Sequence, residues 1–176
     1  MDRDWDVIVI GGGSAGLCAA VAAARAGAGR VLVLEKGTRD EAGGNAHYSH
    51  TGFRTPYTPE SIAPFLEHVE PDRRARLVLP GYSEADFAAD LDTSTNGRID
   101  PARAAPTVDW MRHLGVPWSP NRTIPAPDGE HFEPGLVLAA GRGGGGKELV
   151  ATWLRLAAEA GVEVALESPV VGLTLG

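Results

Sequence analysis

The chain has 176 residues, 43% of them hydrophobic, which is enough to build a single core of ordinary size. Sixteen basic against 23 acidic side chains leave a net charge of −7 without any Lys/Arg-dense block, so a nucleic-acid or anionic-membrane partner finds no electrostatic footprint. Cys18 is the sole cysteine, which excludes an intramolecular disulfide and a cysteine-based zinc cluster.

A small-molecule partner and a reducing compartment fit this composition. Met1 to Trp5 carry two Asp and one Arg and lead straight into the first apolar run. That leaves no room for a signal peptide or a spanning helix, and the expected location is cytoplasmic.

The first element is Val7 to Ile10, a continuous apolar run of the kind expected in a parallel sheet covered on both faces. Ala15 to Ala26 reads as a helix rich in small residues, with Gly27 placed to end it. Val31 to Leu34, "VLVL", is a second buried strand. Strand, helix and strand in about thirty residues make a βαβ unit with a right-handed crossover.

From Gly37 to Gly145 the composition shifts toward Pro, Gly, Asp and Arg, and prolines at 56, 59, 64, 71, 80, 101 and 106 limit how long any helix can run. The expectation there is an irregular, partly helical insertion. Order returns in the glycine run 143–146, followed by Leu149, Trp153, Leu156 and Ala160 at helical spacing, with Val150 and Leu154 beside them. Gly161 fits the position just past that helix, and Val162 to Leu166 reads as a third strand. The predicted fold is α/β and Rossmann-like, with residues 1–60 and 136–176 forming the dinucleotide-binding domain and 61–135 a helical insertion at the start of a cap.

Gly11, Gly13 and Gly16 satisfy G-x-G-x-x-G directly after a strand and at the opening of a helix. A glycine turn alone could do no more than ease strand-to-helix packing. Glu35 at the end of the second strand completes the fuller pattern, because its carboxylate can accept from ribose hydroxyls. In that pattern Gly11 allows the tight turn, Gly13 lets backbone approach a pyrophosphate, and Gly16 lets the helix pack on the sheet. The unpaired N–H groups of the helix's first turn supply an anion site. The spacing does not separate NAD from FAD, but the charge of Glu35 disfavours the extra 2′-phosphate of NADP.

"DVIVIGGGSAGLCAAVAAARAGAGRVLVLEKG", followed by "GGNA", resembles the FAD-binding domain of the fumarate reductase and succinate dehydrogenase flavoprotein superfamily. "TVDWMRHLGV" and "GGGGKELVATWLRLAAEAGVEV" look most like its tricarballylate dehydrogenase branch. The resemblance implies noncovalent FAD, with Gly11, Gly13, Ser14, Ala15 and Gly16 along the pyrophosphate. Glu35 would take the adenosine ribose, Lys36 would flank the adenine end, and Gly43, Gly44, Asn45 and Ala46 would run beside the flavin. It also implies that the strand after the late helix lies next to the second strand, with backbone near Pro169, Val170 and Val171 meeting the adenine. Ala46 stands where the family often has Ser or Thr, so a side-chain hydroxyl contact is missing.

The same resemblance implies an oxidoreductase acting on a small polycarboxylic acid such as tricarballylate, fumarate or succinate. A 3-ketosteroid dehydrogenase, an amino-acid oxidase and a non-catalytic FAD-binding fragment are the alternatives. Members of the superfamily run to several hundred residues, so the expectation is an N-terminal portion whose catalytic acid lies elsewhere. Its sheet would need the remaining chain or self-association to complete it.

His50 and Arg54 follow the flavin-side motif and are candidates to hold a substrate carboxylate; a solvated loop is the bland alternative. Gly143 to Gly146 could form an anion-binding nest or merely orient the helix that follows. Trp110 and Met111 read as core, and Cys18 as a small buried hydrophobe. His68, His113 and His131 lack partners at metal-ligand spacing, so no metal is assigned.

Overall fold

Two runs of Val, Ile and Leu, Val7–Ile10 (β1) and Val31–Leu34 (β2), pair in parallel with Val7 opposite Val31 and Ile10 opposite Leu34. In the computed structural model, which describes residues 4–95, 100–121, 123–132, 135, 138–142 and 145–174, they belong to the first of two units. That unit comprises Met1–Ser49 and Gly144–Gly176, and the second comprises His50–Gly143. The sequence reading set these divisions at 60/61 and 135/136.

The crossover between the strands is the helix Ser14–Arg25 (α1), which packs on both strands and buries Leu17, Ala20 and Val21 completely. Gly27, at φ +98°, closes α1: its N–H reaches the Ala24 carbonyl and the Ala28 N–H reaches that of Ala23. These two hydrogen bonds satisfy carbonyls that the helix end leaves open. After β2 the chain makes a 3₁₀ turn over Gly44–Tyr48.

Among the described residues the second unit holds four α-helices: Pro59–Ile62 (α2), Pro71–Arg74 (α3), Glu84–Thr95 (α4) and Ala104–His113 (α5). Proline opens α2 and α3, where its missing N–H costs nothing. Six strands accompany them: Gly52–Phe53 (β3), Leu77–Val78 (β4), Trp118–Pro120 (β5), Thr123–Ala126 (β6), Gly129–Phe132 (β7) and Leu138–Ala140 (β8).

One sheet has the order β3-β8-β5 and is antiparallel; the other is β4-β7-β6, with β4 parallel to β7. The insertion is therefore not simply helical. Trp118 anchors its core, with Phe53 and Phe65 edge-on to it at 5.2 and 5.7 Å between ring centres. Met111 is buried beneath α5 and Trp110 half-buried, close to the core role expected of them.

The chain re-enters the first unit with Gly145–Glu159 (α6) and Glu163–Ala165 (β9). Helix α6 buries Leu149, Val150, Trp153, Leu156 and Ala157, and packs on α1 and on the 3₁₀ turn. β9 pairs in parallel with β2, giving the order β1-β2-β9.

The central strand is thus β2, whose Val33 is fully buried, while β1 lies at the edge with Ile8 and Ile10 52% and 62% exposed. This corrects the expectation that β1 is covered on both faces. A continuous apolar run announces burial without saying which strand of a sheet it becomes.

Candidate functional site

The turn after β1 is built to bring backbone close to whatever sits above it. Gly11, at φ +100°, turns the chain out of the strand, and its N–H donates to the Leu34 carbonyl at 2.8 Å. A Cβ on Gly16 would collide with the Gly11 carbonyl oxygen and sit 3.3 Å from Val9 Cγ1. Only glycine lets α1 approach the sheet this closely, as the motif requires.

Helix α1 then starts without any side-chain cap at Gly13 and without an acidic residue in its first turn. Its leading N–H groups and the positive end of its dipole are left for an anion. Ser14 Oγ, at the same place, is buried and has no hydrogen-bond partner. A buried hydroxyl without a partner costs about 1–3 kcal/mol, and an anion at this helix end removes that cost. The residues therefore fit a dinucleotide pyrophosphate.

Glu35 is 7% exposed and spans the mouth of the turn. Its carboxylate accepts from the Gly12 N–H at 2.6 Å and from the Gly37 N–H at 2.8 Å. Its main-chain N–H donates to the Ala165 carbonyl, and its own carbonyl accepts from the Ser168 N–H at 2.8 Å. The acid thereby ties the glycine turn, β2 and the segment after β9 together.

A carboxylate has about four lone-pair sites, so acceptor capacity remains for a ligand hydroxyl. Sequence reasoning missed Gly12 and Gly37 as partners of this acid. The signal was present at position 12, where a glycine outside the motif spacing fills the middle of the run 11–13: a Cβ there would meet the Glu35 carboxylate at 2.9 Å.

The second glycine motif lies beside the first, since a Cβ built on Gly13 would contact the Gly43 carbonyl oxygen at 3.5 Å. Gly43 has φ +107° and sits against Val150, whose Cγ2 would be 2.5 Å from an added Cβ. Gly44 and Asn45 are exposed and Ala46 half-buried. Gly146 of α6 backs this turn so closely that a Cβ there would collide with the Ala46 carbonyl oxygen, and its N–H donates to the Ser49 carbonyl at 3.0 Å. Of the expected nest, Gly143 and Gly144 lie outside the described residues. The Gly146 N–H is spent within the fold, in a role that orients α6.

Lys36 is exposed beside Glu35, and Val170 and Val171 are 39% and 99% exposed on the segment that follows Ser168. Gly11, Gly13, Ser14, Ala15, Gly16, Glu35, Lys36, Gly43, Gly44, Asn45, Ala46, Val170 and Val171 all belong to the first unit. His50 and Arg54 belong to the second. His50 is exposed, and Arg54 donates to Asp90 at 3.1 Å in an exposed ion pair, with the Tyr82 hydroxyl donating to the same carboxylate oxygen.

Cys18 is half-buried, and burial pushes its thiol up, away from thiolate chemistry. Among the described residues no group of three His, Cys, Asp or Glu could hold a metal ion, and no helix is long and apolar enough to cross a membrane.

Residues 6–176 match the family model described as FAD binding domain. No curated protein matches the sequence. Among solved structures, the chain is similar to the open conformation of a flavocytochrome c3 fumarate reductase at 24% identity and a TM-score of 0.68, covering 99% of this chain and 28% of that one. It is similar to a 3-ketosteroid-Δ4-(5α)-dehydrogenase from Rhodococcus jostii at 20% identity and a TM-score of 0.59, covering 95% and 39%. For a quinol fumarate reductase subunit from E. coli the values are 16% and 0.52, covering 93% and 26%. At these identities the likeness is one of fold, and the chain spans well under half the length of each.

Proposed function

Because the chain belongs to the FAD binding domain family and its dinucleotide is FAD, we propose that it supplies the cofactor site of an oxidoreductase acting on a small polycarboxylic acid. The observation that carries the cofactor part is the uncapped start of α1, with the unpartnered Ser14 hydroxyl between two glycine turns. Bound noncovalently, FAD supplies the hydride-transfer chemistry.

The chain's own residues bind and orient. The first-turn N–H groups of α1 and Ser14 Oγ hold the pyrophosphate, and Gly13 admits it without a Cβ in the way. Glu35, already fixed by two main-chain N–H groups, uses its remaining lone pairs for the adenosine ribose. Lys36 and the backbone near Val170 and Val171 flank the adenine. The turn through Gly43, Gly44, Asn45 and Ala46 carries the flavin side, held from behind by Gly146 and Val150.

The substrate class is supported by the fold shared with a fumarate reductase and by the resemblance to the tricarballylate dehydrogenase branch. His50 and Arg54 remain the candidates to meet a carboxylate. Releasing Arg54 from Asp90 costs little, since exposed ion pairs contribute about 0–1 kcal/mol.

The test is the visible spectrum of the purified chain with and without added FAD, followed by a turnover screen of tricarballylate, succinate and fumarate against a 3-ketosteroid and an amino acid. Flavin bands that remain after desalting support the cofactor site. Turnover of the steroid or the amino acid alone would replace the polycarboxylate reading, and a chain that never retains flavin would leave a fragment unable to hold its cofactor.

A further inference from the structure

Two of the described residues other than glycine have a left-handed backbone, and one of them, Thr51 at φ +56°, is β-branched. A branched Cβ makes that conformation a genuine outlier, with a cost that glycine does not carry. Gly52 stands one position on, yet the left-handed turn falls on Thr51. Strain of this kind persists only where the surroundings over-determine it, and it gathers at functional sites.

Here the side chain itself holds the strained turn. Thr51 is 6% exposed, and its Oγ1 lies within donating distance of two carbonyls, that of His50 at 2.8 Å and that of Ala140 at the end of β8. The Thr51 carbonyl accepts from the Ala140 N–H at 3.0 Å. Thr51 thereby extends by one residue the β3–β8 ladder, in which Gly52 lies opposite Ala139 and Phe53 opposite Leu138. His50 leaves this short ladder at its strained end and Arg54 at the other.

One hydroxyl therefore fixes the His50 peptide and the register of the strand that leads to Arg54. Glycine at position 51 would make the turn without holding either carbonyl, and valine would keep the branch without the hydroxyl. We propose that Thr51 is a positioning residue, which sets the backbone from which His50 and Arg54 extend toward a substrate carboxylate. This rests on the polycarboxylate reading and adds to it the residue that spaces its two carboxylate ligands. Thr51 acts through those two side chains, because its own hydroxyl is engaged with main-chain carbonyls.

The test is calorimetric titration of tricarballylate into the full chain with FAD added, repeated for Thr51→Gly, Thr51→Val and Thr51→Ser. The expected result is tricarballylate binding about tenfold weaker in Thr51→Gly and Thr51→Val, the scale of loss for a misplaced binding group. Thr51→Ser, which keeps the hydroxyl, should bind close to wild type, and FAD affinity should be the same in all four chains. A purely structural residue would lower Tm and leave tricarballylate affinity where it was. If Thr51→Gly fails to fold, the comparison of Val with Ser decides alone. Wild-type affinity in the variants that lack the hydroxyl, or a Thr51→Ser chain as weak as they are, would overturn the proposal and leave the polycarboxylate reading standing. A wild-type chain that retains FAD and binds no tricarballylate would overturn both.

Discussion

Glu35 concentrates more of the first unit's organisation than any neighbouring side chain, since its two oxygens hold the Gly12 and Gly37 N–H groups. Glu35→Ala leaves the buried Gly12 N–H and the half-buried Gly37 N–H without this acceptor. The expected loss is about 3 kcal/mol of stability by urea unfolding, at the rate of about 1.5–3 kcal/mol for each hydrogen bond to a charged group, together with at least a tenfold loss of FAD affinity. Gly16→Ala would drive a methyl into the Gly11 carbonyl. The expected cost is about 1–3 kcal/mol, the range for overpacking a tight contact, read as a lowered Tm. The motif spacing identified Gly16 from the sequence alone, because its role depends on the local βα turn. Gly12 escaped that reading because its constraint comes from a side chain 23 positions away.

At the level of elements, the join between α6 and the 3₁₀ turn sets where the flavin-side loop lies. Gly146→Ala cannot be accommodated without moving one of them. It should weaken FAD binding while leaving the far-UV circular dichroism of the chain close to that of the wild type.

In the second unit, Glu130 on β7 accepts from Thr123 at 2.9 Å and pairs with Arg73 of α3 at 3.2 Å and Arg76 at 3.8 Å. The Thr123 hydrogen bond, followed by Arg73, holds its carboxyl below the ordinary value of 4.5. A depressed folded-state pKa stabilises fully above that ordinary value and is lost as pH falls through the lowered one. The protection factors of the β6–β7 hairpin amides, corrected for the intrinsic pH dependence of exchange, should therefore stay constant at neutral pH and fall on acidification below 4.5, with Glu130→Gln flattening that dependence. None of this hairpin was legible beforehand. Its strands are four residues long, Pro125 interrupts one of them, and their pairing with β4 lies outside any local pattern.

For the molecule as a whole, the exposed Ile8 and Ile10 on an edge strand are the principal liability. Concentration-dependent association is expected in light scattering, and replacing both residues with Lys should reduce it. A wild-type chain that stays monomeric at high concentration would contradict this.

By itself the sequence determined the βαβ start, the late helix that Gly161 follows, and the dinucleotide class. These rest on periodicity, glycine spacing and cap chemistry, all of which act within a few turns of chain. Only the tertiary structure decided that β2 rather than β1 is central, that Arg54 is held by Asp90, and that the insertion contains two small sheets. The same holds for the left-handed backbone at Thr51, held from Ala140. Each depends on pairing between residues tens of positions apart, where the packing partner and not the local pattern sets the outcome.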